Sequence, residues 1–372
     1  MNARLARCRC KLRFVTALAA PLALGCGSST SATTSDAGHH DGAVTHDSGH
    51  PRDAGHPVDA HHAADAARDH DVVTSDSGPT DGGGATDAPS HHDGDLLRGA
   101  FANPDGSGMP ADLESNTEKL ESVVGHLDLE LDYHPFATPF PTADESAAMA
   151  HGRIPVISLG CGATNRDIAS GGKDATLQAL AAAMKAAGKP VVLRWFWEMN
   201  LASSANGRGA CFNDASDGKD AESPDFFNPA DYIAAWQHIH NVVREAGADN
   251  VSMFFCGSGG TPETMPKYYP GDDYVEMNGF DVYDRVAGQS FHDTLAPAYA
   301  AALDASSARP IWVGETGAMH AQQTLGYIDG QTAAMLRASF PKIQAVTYFD
   351  AVGPAGNWSF NAAGLAGFAA FE

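Results

Sequence analysis

Between residue 97 and the end of the chain, short apolar runs alternate with amphipathic, alanine-rich stretches, and this alternation limits the possible folds most strongly. Short apolar runs bounded by turn residues are typical of strands buried on both faces, whereas the stretches between them have helical periodicity. The order therefore predicts βα units around a parallel sheet. The eight predicted strands are Leu97–Phe101, Leu127–Asp132, Ile154–Leu159, Val191–Phe196, Val251–Cys256, Val275–Val282, Ile311–Gly314 and Ala345–Phe349.

Helices are predicted between these strands and after the last one. One of them has a clear start, because the N-cap residue Asn228 precedes the helix-starting Pro229. Eight strands and a closing helix predict a single α/β domain, a (β/α)8 TIM barrel, over residues 96–372, and this length is close to the usual size of that fold. The clearest predicted helices are Asp112–Val123, Ala143–His151, Lys173–Ala187, Pro229–Ala246, Phe291–Ala305, Gln322–Ala338 and Ala362–Phe371.

The first 25 residues have a different composition. They hold five basic residues, no acidic one and a short apolar run from Leu12 to Gly25, which is the pattern of a signal peptide and is too short for a permanent membrane span. The ending Ala23-Leu24-Gly25-Cys26 resembles the bacterial lipobox. That resemblance implies export, lipidation of Cys26, and a lipoprotein anchored on the periplasmic or outer surface of a bacterium. The alternative is an ordinary signal and secretion.

Residues 26–95 form a second unusual segment, rich in Asp, His, Ala and Gly. From Gly27 to Asp95 there are 13 Asp and ten His, but no aromatic residue and no Ile, Leu or Met. Burial therefore cannot offset the entropy cost of ordering the backbone, and we expect a disordered linker. Paired histidines such as His39-His40 and His61-His62 suggest weak metal binding as an alternative to a solvated spacer.

The charge of the chain limits its partners. With 23 basic and 46 acidic residues, the formal net charge is -23. Phosphate binding requires clustered Lys and Arg, so nucleic acid is excluded as a partner, whereas a neutral polysaccharide remains compatible. We expect a monomer that needs no cofactor and no catalytic metal, with the membrane contacted only through a lipid on Cys26.

Two glutamates stand where barrel enzymes carry their chemistry, at the carboxyl ends of the strands. Glu198 follows the fourth predicted strand and Glu315 follows the seventh. Period-two alternation predicts the faces that their neighbours share. The predicted groupings are Arg194 with Phe196 and Glu198, Asp281 with Tyr283, and Glu315 with Ile311 and Val313.

Paired carboxylates at one barrel mouth suit glycoside hydrolysis. One carboxyl group protonates the leaving oxygen while the other, ionised, meets an oxocarbenium-like transition state. Ion pairing of Arg194 with Glu198 or Asp281 is the structural alternative. Aromatic residues near the strand ends supply apolar faces for sugars or, alternatively, core packing; they are Trp195, Trp197, Tyr283, Trp312 and Trp358.

These residues resemble glycoside hydrolase family 26, whose barrels carry paired glutamates after strands four and seven. The resemblance spans residues 97–371. It implies that Glu198 is the acid/base, Glu315 the nucleophile, Tyr283 the residue that orients it, and Arg194 a support of the site. A retaining mechanism follows, with carboxyl groups about 5 Å apart. The motifs that carry the resemblance are Arg194–Asn200, Asn228–His240, Tyr268–Val275, Gly279–Tyr283 and Val313–Thr316.

The chain departs from the family at several positions, which affects the expected substrate. Trp197 stands where members carry His or Asn, Leu159-Gly160-Cys161 replaces a Trp-Glu pair, and Tyr348-Phe349 replaces a tryptophan after strand eight. A surface-loop position is the alternative for His134, and a packed rim position for Trp358. The predicted substrate-binding residues are Trp195, Trp197, Asn200, His134, Asp281, Tyr348 and Trp358.

Three cysteines remain after the signal peptide and Cys26, namely Cys161, Cys211 and Cys256. They follow or end predicted strands three to five, so one disulfide is possible in an oxidising compartment. Cys161 with Cys211 is the pairing that we expect. The spacing excludes a tight zinc motif.

Two functional hypotheses follow from the sequence. The first is an exported, retaining endo-β-glycanase that cleaves mannan, xylan or β-glucan. The second is a non-catalytic, carbohydrate-binding surface lipoprotein on a degenerate glycosidase barrel, because fold alone does not establish activity.

Overall fold

The structure, a computed structural model, describes residues 96–106, 112–160, 162–201, 228–323, 333–353 and 356–371. Eight strands pair in parallel in chain order, and β8 pairs back to β1, which closes the barrel. The predicted (β/α)8 TIM barrel is confirmed. A short strand, β9, pairs antiparallel with β8. The strands are β1 Leu97–Asn103, β2 Leu129–Pro135, β3 Ile154–Gly160, β4 Val191–Trp195, β5 Val251–Ser258, β6 Met277–Asp284, β7 Ile311–Ala318, β8 Ile343–Gly353 and β9 Gly356–Asn357.

Helices surround the barrel, and their starts follow from local capping. The Asn228 side chain accepts a hydrogen bond from the backbone N–H of Ala230, and Thr142 forms a capping box with Glu145. The α-helices are α1 Leu113–Val124, α2 Ala143–Ala150, α3 Asn165–Ala169, α4 Asp174–Ala187, α5 Pro229–Glu245, α6 Phe291–Ala305, α7 Ala333–Ser339 and α8 Ala362–Ala369. Within the described residues, three 3-10 helices cover Pro262–Tyr268, Asp272–Tyr274 and His320–Gln322.

Apolar side chains form two layers, one inside the barrel and one between the strands and the helices. Leu131, Val192 and Trp312 belong to the inner layer. Leu193 and Val313, next to them in sequence, belong to the outer layer with the helices. Neighbours on one strand therefore face opposite sides, and only one set of alternate residues can reach the barrel mouth.

All eight predicted strands are found, with ends shifted by up to four residues. The short helix α3 was not predicted, and residues 324–332 of the predicted helix Gln322–Ala338 lie outside the described residues. The predicted signal peptide, Cys26 and the predicted linker also lie outside the described residues. Within the described part of the chain, no helix is both long and apolar enough to span a bilayer.

Candidate active site

Arg194 forms the centre of a polar cluster inside the carboxyl end of the barrel. Its side chain is fully buried on β4. Nη1 donates to both carboxylate oxygens of Asp281 on β6, at 3.0 and 3.2 Å. Nη2 donates to Oε1 of Glu315 on β7 at 2.5 Å, and Nε donates to the hydroxyl oxygen of Ser158 on β3 at 2.9 Å. One guanidinium thus joins three other strands of the barrel. Charge-assisted hydrogen bonds of this kind are among the strongest in proteins.

Glu315 is held by donors on both carboxylate oxygens. Besides the bond from Arg194 to Oε1, the hydroxyl of Tyr283 donates to Oε2 at 2.6 Å. Burial, and then the negative charge of Glu315, raise the pKa of Tyr283 well above its ordinary value. Tyr283 therefore remains a protonated donor, and Glu315 is fixed as an acceptor.

Asp281 and Cys256 complete the cluster below Glu315. Burial, and then the charge of Glu315, raise the pKa of Asp281, against the opposing charge of Arg194. Burial also raises the pKa of Cys256, and its thiol donates to Asp281 at 2.9 Å. Two carboxylates share one arginine, so this cluster has one more acid than base.

A β-bulge turns Glu315 towards the cluster. Phe280 pairs with Val313, but the next residue, Asp281, pairs with Glu315, so the register of β7 shifts at Gly314. The predicted grouping of Glu315 with Ile311 and Val313 is therefore wrong, because those two residues pack in the outer layer.

Gly314 makes this bulge possible. A Cβ atom on Gly314 would lie 2.6 Å from Cys256 Sγ, 2.7 Å from Asp281 Oδ1 and 2.9 Å from Arg194 Nη1. These distances are shorter than van der Waals contact, so the cluster requires glycine at this position.

Glu198 lies in the turn that follows β4 rather than on the strand. Phe196 and Glu198 have φ angles of 41° and 54°, which is unusual for residues other than glycine and costs about 1–3 kcal/mol each. The backbone N–H of Glu198 donates to the carbonyl of Cys256 at 2.8 Å and ties the turn to β5. The strand ends at Trp195, and Phe196 is buried in the outer layer, so its predicted grouping with Arg194 is wrong.

Glu198 is half-buried and follows the carboxyl end of β4. Its charge contributes to the raised pKa values of Asp281 and Tyr283, after the larger effects of burial and of Glu315. Glu198 is therefore close enough to act on residues that contact Glu315, and the spacing of about 5 Å between the two carboxyl groups stays a prediction. Asp281 and Tyr283 also share a face, as the alternation along β6 predicts.

Aromatic rings form the wall of the mouth. Trp197 packs on Tyr133 at 4.9 Å and lies 5.3 Å from the Arg194 guanidinium. Trp358 packs on Tyr283 at 4.6 Å, which places it behind the tyrosine that contacts Glu315. Trp197 and Trp358 thus border the site, and Trp358 is itself buried.

Tyr133 and Phe349 also line the mouth and were not predicted as site residues. Their rings lie 6.3 Å apart, and Phe349 lies 6.0 Å from Tyr283. The Tyr133 hydroxyl is buried beside Glu315: burial, and then the negative charge of Glu315, raise the pKa of Tyr133 well above its ordinary value. Alternation along β2 from Leu129 and Leu131 was the signal that could have identified Tyr133.

Trp195 and Tyr348 lie outside the site, which corrects their prediction as substrate-binding residues. Trp195 is fully buried beneath the helices, and its indole N–H donates to Asn165 at 3.2 Å. Tyr348 is stacked on Phe360 at 3.8 Å on the helix side of β8. Their neighbours Arg194 and Phe349 face the inside of the barrel instead, because alternate residues on a strand point to opposite sides.

Asn200 fixes a loop, which corrects its prediction as a substrate-binding residue. Its amide nitrogen donates to Ser258 O at 2.9 Å and to Thr261 O at 3.0 Å, and its amide oxygen accepts from the N–H of Ser258 at 2.7 Å. With both ends of its amide occupied, Asn200 holds the loop after β5 against the turn that carries Glu198.

His134 lies on the outer side of β2, so both its prediction as a cleft residue and the surface-loop alternative are wrong. Its side chain is buried, with Nε2 at 3.0 Å from both Asp132 and Glu145. Burial opposes the charged form, but the two carboxylates outweigh it and raise the pKa of His134 to about 9.

The expected disulfide between Cys161 and Cys211 falls outside the described residues. Cys256 is a free, buried thiol.

Comparison with known protein sequences identifies a partial relative of this chain. No family model matches the chain. Endoglucanase H of Acetivibrio thermocellus is 27% identical over 202 residues, which are 49% of this chain and 20% of that protein. The chain thus spans about a fifth of the length of the curated relative that it matches.

Solved structures of β-mannanases superpose on most of the barrel. The GH26 β-mannanase of Bacteroides ovatus has a TM-score of 0.51 and 16% identity, covering 75% of this chain and 88% of its own. A modular endo-β-1,4-mannanase of Cellulomonas fimi has a TM-score of 0.52 and 16% identity, covering 74% and 70%. The chain therefore has the barrel fold of the glycoside hydrolase family 26 β-mannanases, as its motifs predicted.

Proposed function

We propose that this chain is a retaining endo-β-glycanase that hydrolyses mannan, xylan or β-glucan. One observation carries the proposal: Glu315 accepts hydrogen bonds from Arg194 and Tyr283 at a barrel mouth that also holds the half-buried Glu198. The carboxyl group of Glu315, which accepts two hydrogen bonds, suits the role of nucleophile, and the half-buried carboxyl group of Glu198 suits the role of acid/base.

In the first step, Glu198 donates a proton to the glycosidic oxygen while a carboxylate oxygen of Glu315 attacks the anomeric carbon. The bond to the leaving sugar breaks, and a covalent glycosyl–Glu315 ester forms. Arg194 and Tyr283 orient Glu315 for the attack, and hydrogen bonds donated to a carboxylate favour its charged form.

In the second step, the Glu198 carboxylate takes a proton from water, and the resulting hydroxyl attacks the same carbon. The ester bond breaks, Glu315 leaves as a carboxylate, and Glu198 is protonated again. Each step inverts the anomeric carbon, so the two steps together retain its configuration. Glu198 and Glu315 end the cycle in their starting protonation states.

The wall of the mouth suits neutral sugars. The rings of Tyr133, Trp197 and Phe349 offer apolar faces for sugar C–H groups. The net charge of -23 does not hinder the binding of an uncharged polysaccharide. The shared fold with β-mannanases supports mannan, and the partial similarity to an endoglucanase supports β-glucan.

A reducing-end assay on β-mannan, xylan and mixed-linkage β-glucan tests the activity. We expect wild-type protein to release reducing ends from at least one polymer, and Glu198→Ala and Glu315→Ala to lose nearly all of that activity. Glu245→Ala, an exposed residue at the end of α5, is the matched control and should retain it. If no glycan is hydrolysed while oligosaccharides still bind, the chain is a carbohydrate-binding protein and this proposal is wrong.

We also propose that the chain is an exported monomer anchored through a lipid on Cys26. The basic start, the short apolar run and the lipobox-like ending support this proposal. In a bacterial host, wild-type protein should sediment with membranes and Cys26→Ser should appear in the soluble fraction. Equal distribution of the two proteins would contradict the anchor.

A further inference from the structure

A buried cluster of metal-ligating side chains lies away from the mouth, between β2 and α2. It consists of Asp132, His134 and Glu145, all less than 5% exposed. His134 Nε2 lies 3.0 Å from Asp132 Oδ2 and 3.0 Å from Glu145 Oε1. The three ligand atoms all lie within 4.8 Å of one another.

Backbone amides orient both carboxylates towards this point. Asp132 Oδ1 accepts from the N–H of Tyr133 at 2.7 Å, and Glu145 Oε2 accepts from the N–H of Thr142 at 2.6 Å. Each carboxylate thus has one oxygen fixed by the backbone and the other directed at His134. Supporting hydrogen bonds of this kind are characteristic of metal ligands.

The ligand atoms are incompletely satisfied by one another. Glu145 Oε1 is buried and makes no hydrogen bond, although it lies beside His134 Nε2. His134 Nε2 carries at most one proton and lies 3.0 Å from both carboxylate oxygens, so that proton cannot make a well-directed hydrogen bond to each of them. A buried carboxylate oxygen without a donor is costly, and a cation at this point would satisfy it.

Nearby positive charge is already engaged. Arg153, the buried arginine of the adjoining surface, lies within ion-pair distance of Glu114, Glu121 and Glu130. Three acids therefore share that arginine, and His134 is the positive group that lies between Asp132 and Glu145.

We propose that Asp132, His134 and Glu145 bind a divalent transition metal of the zinc type, which ties α2 to β2. One imidazole and two carboxylates form an N/O ligand set suited to zinc rather than to Ca²⁺ or Mg²⁺, which prefer oxygen ligands. Zinc bonds of about 2.0–2.2 Å place ligand atoms roughly 3–3.5 Å apart, and His134 Nε2 lies 3.0 Å from each carboxylate oxygen. On binding, His134 Nε2 releases its proton to solvent and donates its lone pair to the metal.

The site is structural and separate from the catalytic cluster. Asp132 and His134 point to the helix side of β2, whereas Tyr133 between them faces the mouth. Metal binding should therefore raise stability without supplying any step of hydrolysis.

The test uses the full chain after EDTA treatment and dialysis, with zinc chloride as the probe. Thermal unfolding is followed by near-ultraviolet circular dichroism, and zinc retained per chain is measured by mass spectrometry. Glu145→Gln keeps an oxygen for the Thr142 N–H and loses the ligand charge, and His134→Asn removes the nitrogen ligand. His151→Asn removes an exposed candidate group formed with Glu114 and Glu118 and is the control.

At a zinc concentration about 100 times Kd, wild type and His151→Asn should gain roughly 5 °C in Tm, and the two ligand variants should not. The ligand variants should also retain one zinc fewer than wild type. The histidines of residues 27–95 are identical in all four proteins, so they cancel in this difference. Equal zinc retention and an equal Tm response in all four would overturn the proposal and leave an imidazolium ion triad.

Discussion

Tyr283→Phe removes one hydroxyl from the catalytic cluster and leaves the ring in place. The lost bond is the 2.6 Å hydrogen bond to Glu315 Oε2, while the bond from Arg194 to Oε1 remains. The ring should keep its packing against Trp358 and Phe349, because those contacts involve only carbon faces and edges. The variant therefore isolates the contribution of one donor to the nucleophile.

The size of the effect follows from the charge on the acceptor. A hydrogen bond to a charged group contributes about 1.5–3 kcal/mol, and each 1.36 kcal/mol in the activation barrier changes the rate tenfold. We therefore expect kcat/KM on the best polysaccharide or oligosaccharide to fall by roughly 10- to 150-fold. Most of the loss should be in kcat, since Tyr283 contacts Glu315, the proposed nucleophile, rather than remote subsites.

Initial rates on a defined oligosaccharide, with products quantified by chromatography, measure this change. Tyr299→Phe on α6 is the matched control, because its hydroxyl contacts the backbone of Lys342 far from the mouth, and its kcat/KM should be unchanged. A Tyr283→Phe enzyme with wild-type kcat/KM would refute the role of this tyrosine in holding Glu315.

Three further variants test the surroundings of the site. Gly314→Ala places a Cβ within 2.6–2.9 Å of Cys256, Asp281 and Arg194, so urea unfolding should show a loss of about 1–3 kcal/mol, together with loss of activity. Asn200→Ala leaves the N–H of Ser258 without its acceptor and should cost about 1–3 kcal/mol in the same assay. Burial raises the pKa of Asp350 to about 6, so its contribution to stability is present below about pH 4 and lost as the pH rises through 6. Asp350→Asn keeps an acceptor for the Phe360 N–H and should be more stable than wild type at pH 7.5 by up to about 3 kcal/mol, with the difference vanishing near pH 3.5.

Most of the barrel could be predicted from the sequence because each strand is a short apolar run with clear boundaries. Strand β3, for example, was predicted at Ile154–Leu159 and is found at Ile154–Gly160. The helix α6 was predicted with both ends correct, Phe291–Ala305. Burial on both faces gives these elements a strong signal.

The faces of the site residues were harder to predict, because small irregularities reverse them. The bulge at Gly314 moves Glu315 to the inner side, and the left-handed turn at Phe196 and Glu198 ends the alternation of β4. An apolar run on a buried strand does not indicate which of two neighbouring aromatic residues faces inwards. For this reason Tyr348 was predicted in place of Phe349, whereas along β2 the alternation of Leu129 and Leu131 favoured Tyr133 over the predicted His134.

The central claim is double displacement at Glu315, and the anomeric configuration of the first product tests it most directly. Proton NMR during the first minutes of hydrolysis of a β-linked oligosaccharide distinguishes the two anomers before they interconvert. We predict that the β-anomer of the new reducing end appears first and the α-anomer follows by mutarotation. Initial appearance of the α-anomer would contradict the covalent intermediate and the role of Glu315 as nucleophile.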